Sequence, residues 1–212
     1  PNGGLQRMNL PNKITLTRIF LIPVFVAVFF LTVIPYNYFI AGIIFIVASC
    51  TDFIDGHIAR KYNLVTNLGK FLDPIADKVL VSSALICMLV KPEVLQVMWG
   101  GEWVMIVSGI CVAIILAREL IVSGFRMVAA SAGLVLAADK VGKFKTVFQD
   151  IAVIFLLVGA VSFGSASAGE VLNGIGLAAL AIATVLTIWS GISYIVRNRA
   201  VLQEKKGEES KA

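Results

Sequence analysis

Four aspartates fall into two pairs, Asp52 with Asp55 and Asp73 with Asp77. The first pair is spaced i, i+3 and the second i, i+4, so on helices each pair shares one face. Gly56 follows Asp52 by one turn, and Gly69 precedes Asp73 by one turn. Small residues there clear room for something bulky beside the carboxylates. Four carboxylates converging at a membrane edge repel one another, and an ionisable group at membrane depth costs at least about 2.5–3.5 kcal/mol. Hard divalent cations with oxygen ligands answer that repulsion, and Mg²⁺ typically combines one or two carboxylates with substrate phosphates. Two such ions about 4 Å apart would clamp the attacking and leaving oxygens of a phosphoryl displacement. Oxygen ligands suit Mn²⁺ as well as Mg²⁺. Arg60, two turns after Asp52, adds a fixed positive charge suited to a phosphate.

The elements that carry these residues are read from hydropathy. The chain has 212 residues, 58% of them hydrophobic, where a soluble domain is usually about 45–50% apolar. Its mean hydropathy is +0.92. The excess lies in long blocks, which predicts an all-α integral membrane protein. Six segments reach the length of a span, near 17–34, 38–58, 72–92, 103–129, 146–164 and 171–197. A short interfacial helix is expected over Asn12–Arg18, with Ile14 and Leu16 toward lipid. Residues 1–7 read as an appended segment, 8–202 as one membrane domain, and 203–212 as a charged tail.

Basic residues set the orientation. The turn at 34–38 carries no charge, and the 92–102 and 165–170 connections carry glutamates. The other side carries Lys13, Arg18, Arg60, Lys61, Lys70, Lys140, Lys143, Lys145, Arg197 and Arg199. Both termini and the aspartates are therefore expected on the cytoplasmic side of the cell membrane. The net charge of +5 fits anionic lipid and anionic substrates. No basic and aromatic stretch is long enough to track a nucleic acid. Cys50, Cys87 and Cys111 lie in or beside apolar blocks and read as small buried hydrophobes. Tyr36, Tyr38, Trp99 and Trp103 fall at expected outer ends, where aromatics anchor to the interface. Trp189 falls deeper and is expected to pack.

The aspartate stretch resembles the signature of the CDP-alcohol phosphotransferases, D-x2-D-G-x2-A-R-x8-G-x3-D-x3-D. Asp52, Asp55, Gly56, Ala59, Arg60, Gly69, Asp73 and Asp77 match it with every spacer intact. The six-span layout extends the resemblance over nearly the whole chain. It implies transfer of a phosphatidyl or similar group from a CDP-linked donor to an alcohol, with release of CMP. It further implies that Asp52 and Asp73 bridge two metals, that Asp55 and Asp77 each complete one site, and that Asp77 is the general base. Asn12, Thr15, Gly56, Ala59, Arg60, Thr66 and Gly69 would line the CDP-lipid. A homodimer is also implied, and Gly174, Gly176 and Ala178 to Ala181 offer a close-approach stripe for one.

The N-terminal run Asn9–Arg18 and the segment Ala117-Arg118-Glu119 resemble the branch of the family that uses glycerol 3-phosphate. Arg118 and Arg126 sit in an otherwise apolar segment, where an unpaired charge is costly. With Lys143 they are the expected ligands of the acceptor phosphate, Arg offering bidentate geometry. Glu119 could pair with one of the arginines. His57, the only histidine, occupies a free position of the signature and is assigned no role. The expected reaction joins CDP-diacylglycerol and glycerol 3-phosphate into phosphatidylglycerophosphate and CMP. Other acceptors (phosphatidylglycerol, inositol phosphate or serine), a membrane prenyltransferase and a cation transporter stay open from the sequence.

Overall fold

Long runs of Leu, Ile, Val, Ala and Phe with few breakers favour helices, and helices satisfy every backbone group within the segment. The computed structural model describes residues 10–61, 67–131, 140–161 and 166–198. Side chains at 10–13, 52–61, 67–71, 73, 74, 131, 140, 141 and 166 lie outside the described set. The described elements are seven helices: α1 Leu10–Phe30, α2 Asn37–Lys61, α3 Asn67–Val90, α4 Pro92–Leu95, α5 Glu102–Ser131, α6 Lys140–Gly159 and α7 Ala166–Arg197. No strand occurs among them.

Each expected span lies on one long helix, but the ends differ. Hydropathy carries the first span to residue 34, whereas α1 stops at Phe30. Leu31, Val33 and Ile34 are apolar yet lie in a turn, because Pro35 disfavours a helical residue before it. Tyr36 adopts φ 57°, and the Asn37 amide donates to the Phe29 carbonyl at 2.7 Å. The expected interfacial helix over Asn12–Arg18 is not a separate element. No breaker falls between it and the first span, and α1 runs continuously through Pro23. Helix α4 was not anticipated; Pro92 sits at its start, where proline is favoured.

Among the described residues two helices are long and apolar enough to cross a membrane, Glu102–Ala130 and Ser167–Arg197. Shorter apolar stretches occupy Ile14–Phe30 and Asn37–Thr51. Only 22% of the most apolar window of α5 is buried. Phe20, Leu120, Met127 and Val185 are all at least 65% exposed. Trp189, expected to pack, is instead 67% exposed on α7. Cys87 is buried and Cys111 half-buried, but Cys50 is exposed, against expectation.

The core lies between α1, α2, α3 and α6. Phe25 packs against Phe29 and Phe45, with ring centroids 6.1 and 6.2 Å apart. Leu80, Ala84, Leu85, Met88, Leu156 and Leu157 join it, and Leu95 of α4, Ile115 of α5 and Leu180 of α7 extend it. Arg18, counted above among flanking charges, is fully buried. Its Nε donates to the Ala48 carbonyl at 3.1 Å and to Thr51 Oγ1 at 3.3 Å. That bond set fixes α1 against α2 beside position 52.

Helices α6 and α7 pack most tightly of all. A Cβ at Gly176 would lie 2.9 Å from the Leu156 backbone nitrogen, and one at Gly159 would lie 2.7 Å from that of Asn173. The small residues expected to serve a dimer are thus used at Gly176 to seat α7 on α6 of the same chain. At the end away from the aspartates, Asn173 joins α7 to the α4 region. It donates to the Val94 carbonyl at 2.8 Å and accepts from the Met98 amide at 3.1 Å.

Candidate active site

Helix α2 is continuous through positions 52, 55, 56, 59 and 60, and α3 through 69, 73 and 77. The two helices touch. The i, i+3 and i, i+4 spacings therefore fall on helical backbone, as read from the sequence. The side chains of Asn12, Asp52, Asp55, Gly56, Ala59, Arg60, Gly69 and Asp73 lie outside the described residues, and so does Thr66 altogether. Thr15 is buried on α1. Among the described residues no group of three or more His, Cys, Asp or Glu could hold a metal. The donor set at the four aspartate positions is all carboxylate oxygen, which is what Mg²⁺ and Mn²⁺ take.

Asp77 is the described member of that set, and it is half-buried. It lines a cleft of about 190 Å³ together with Lys78, Arg118, Glu119, Val122, Arg126, Gly142, Lys143, Lys145, Thr146 and Tyr194. Residues from α3, α5, α6 and α7 meet there. The three cations expected from sequence, Arg118, Arg126 and Lys143, all line this one cleft. A small pit of about 30 Å³ is lined by Asp77, Lys78, Glu119, Lys145 and Thr146 of the same cleft, and also by Ser82 and Gln149.

Glu119 organises the cations. Its Oε1 accepts from Lys145 Nζ, and from Arg118 at 3.2 Å. Its Oε2 lies 3.8 Å from Lys78 Nζ. Lys145 is only 4% exposed, and a charge so buried needs a partner. Lys78 also donates to Ser123 Oγ. The second arm of Arg118 donates to Ser190 Oγ at 3.0 Å. Gly191 lets that side chain lie across α7, since a Cβ there would sit 3.0 Å from Arg118 Cγ. Arg126 donates from Nε to the Tyr194 hydroxyl at 3.1 Å. Tyr194 is buried and packs edge-on against Phe125, with centroids 6.0 Å apart. Lys143 is exposed. Asp150 of α6 accepts from Ser49 of α2 at 3.2 Å.

A profile of the CDP-alcohol phosphatidyltransferases matches residues 8–189. The chain belongs to that family. It is therefore a transferase, and membership in this family sets aside the prenyltransferase and transporter readings. A Bacillus subtilis (strain 168) protein named CDP-diacylglycerol--glycerol-3-phosphate 3-phosphatidyltransferase is 41% identical over 206 residues, covering 92% of this chain and 97% of its own length. A Rickettsia bellii protein of the same name is 40% identical over 186 residues, at 88% and 93% coverage. A Shigella flexneri serotype 5b protein, also of that name, is 37% identical over 202 residues, at 94% and 100% coverage.

The sequence missed the roles of Lys78, Gln149 and Tyr194 in this phosphatidyltransferase, and it took Lys145 for one of several flanking charges. A lysine within an apolar stretch was the available signal for Lys78. Nothing local marks Tyr194 or Lys145, whose partners lie on different helices, or Gln149, which meets the pit only through the packing of α3, α5 and α6.

Proposed function

We propose that this chain transfers the phosphatidyl group of CDP-diacylglycerol to glycerol 3-phosphate, giving phosphatidylglycerophosphate and CMP. The observation that supports the reading is the meeting of Asp77 with Arg118, Arg126 and Lys143 in one cleft. Similar bacterial proteins bear the name of this activity.

In this reading the guanidinium groups of Arg118 and Arg126, with Lys143, bind the acceptor phosphate. A dianion among fixed cations is held in place before reaction, which lowers the entropy cost of attack. Asp77 takes the proton of the acceptor's primary hydroxyl. The hydroxyl oxygen forms a bond to the phosphorus that carries diacylglycerol. The phosphoanhydride bond breaks, and CMP leaves with its electron pair. Arg60 offsets charge on the pyrophosphate, with Asn12, Thr15, Gly56, Ala59, Thr66 and Gly69 around the donor. Asp52, Asp55, Asp73 and Asp77 would hold two divalent ions, Mg²⁺ or Mn²⁺, which when bound stabilise charge developing on the phosphates.

The apolar and largely exposed surfaces of α5 and α7 support immersion in a bacterial membrane; in this reading the chain crosses it six times, and the lysines and arginines beside the cleft put that end on the cytoplasmic side. The family resemblance implies a homodimer.

The test is CMP release from CDP-diacylglycerol by purified protein with Mg²⁺, with and without glycerol 3-phosphate, and again for Asp77→Asn. Release that requires glycerol 3-phosphate and falls by about 10²-fold or more in the variant supports the reading. Release only with a different alcohol overturns the acceptor.

A further inference from the structure

Gln149 is 3% exposed, and its side-chain nitrogen makes no hydrogen bond within the protein. Buried amide groups almost always have partners, because an unsatisfied one forfeits its hydration with nothing in return. Gln149 lines the pit beside Asp77, Ser82 and Thr146. It lies one turn from Lys145 on the same face of α6. The Thr146 hydroxyl already donates to the Gly142 carbonyl of its own helix at 3.2 Å. The pit holds about 30 Å³, enough for a hydroxyl-sized group and little more.

We infer that Gln149 is a specificity-determining residue that binds the secondary hydroxyl of the acceptor. This rests on the reading of glycerol 3-phosphate as that acceptor. In that molecule the secondary hydroxyl stands between the phosphate-bearing carbon and the reacting primary hydroxyl. The cations hold one end and Asp77 meets the other, so the middle carbon passes the pit. The carboxamide both donates and accepts, which matches a hydroxyl, and either orientation of the amide serves. A site with a buried polar group selects for the ligand that satisfies it, because the analogue without it leaves that group bare.

The experiment compares glycerol 3-phosphate with 3-hydroxypropyl phosphate, which lacks only the secondary hydroxyl. CMP release is measured for the wild type, Gln149→Leu and Gln149→Asn, each checked as monodisperse in detergent with an unchanged KM for CDP-diacylglycerol. The wild type should prefer glycerol 3-phosphate in kcat/KM by about ten-fold or more. Gln149→Leu should bring the ratio near one by losing activity with glycerol 3-phosphate alone. Should the leucine variant not fold, Gln149→Asn carries the same test, since its shorter amide withdraws from the hydroxyl. A wild type without preference, or a folded variant that keeps it, overturns the inference while leaving the proposed reaction intact. A wild type that uses neither phosphate overturns the acceptor and this inference with it.

Discussion

Lys145 of α6 donates a hydrogen bond to Glu119 of α5, and the same carboxylate oxygen accepts from Arg118. One negative charge therefore sits among three cations, Lys78 being the third. Removing one partner of a buried pair leaves the other uncompensated, at a cost of roughly 3–5 kcal/mol. Glu119→Ala should lower the Tm in detergent by roughly 6–20 °C. The double variant Glu119→Leu/Lys145→Met should recover at least half of that loss. Additive losses in the double variant would show that the two residues are not coupled.

Arg118 and the donor site should be separable. Arg118→Ala removes a charged ligand of the acceptor phosphate worth roughly 2 kcal/mol, or about 30-fold in KM for glycerol 3-phosphate. The KM for CDP-diacylglycerol should hold within about two-fold. A parallel rise in both constants would place Arg118 in general folding rather than acceptor binding.

Tyr194 supports Arg126 through its hydroxyl and through its ring, whose centroid lies 5.3 Å from the guanidinium carbon, while the ring also packs on Phe125. Tyr194→Phe keeps the ring and removes a bond worth about 1 kcal/mol. The KM for glycerol 3-phosphate should rise about five-fold with Tm nearly unchanged. A lowered Tm with unchanged KM would contradict the supporting role.

The connection that bears α4 should respond to acid. Partial burial raises the Glu93 carboxyl, but the Tyr38 hydroxyl, the residue's own backbone and Lys91 outweigh that and hold it below its usual range. A carboxyl depressed in the folded state stabilises above its unfolded value, about 4.3. That stabilisation is lost as pH falls through the folded value. Glu93 is half-exposed, so the contribution is small. Wild type and Glu93→Gln should differ slightly in Tm at pH 7 and converge toward pH 3. A gap that widens in acid would reverse the sign argued here.

Much of this was legible in the sequence. The aspartate spacing required helical backbone at 52–60 and 69–77, and α2 and α3 supply it. Arg118 and Arg126 stood out because charge is rare in apolar segments, Lys143 belonged to the basic connection that follows them, and the three do line one cleft. What was hidden depends on contacts between helices. Lys145 reaches its partner 26 residues away, and Arg118 reaches Ser190 across 72. Hydropathy also could not see the end of α1, where an apolar run turns before Pro35. Trp189 was misjudged because depth along a helix says nothing about which way its face points.

Arg18 bears on how the chain is made. Two of its hydrogen-bond partners, Ala48 and Thr51, are synthesised 30 and 33 residues later. When α1 first leaves the ribosome, its guanidinium meets neither. The first helix is therefore a poor insertion unit by itself, and it enters lipid at low cost only as a hairpin with α2. Biogenesis of this protein should begin with a paired step, with the translocon holding α1 until α2 has emerged to pair with it.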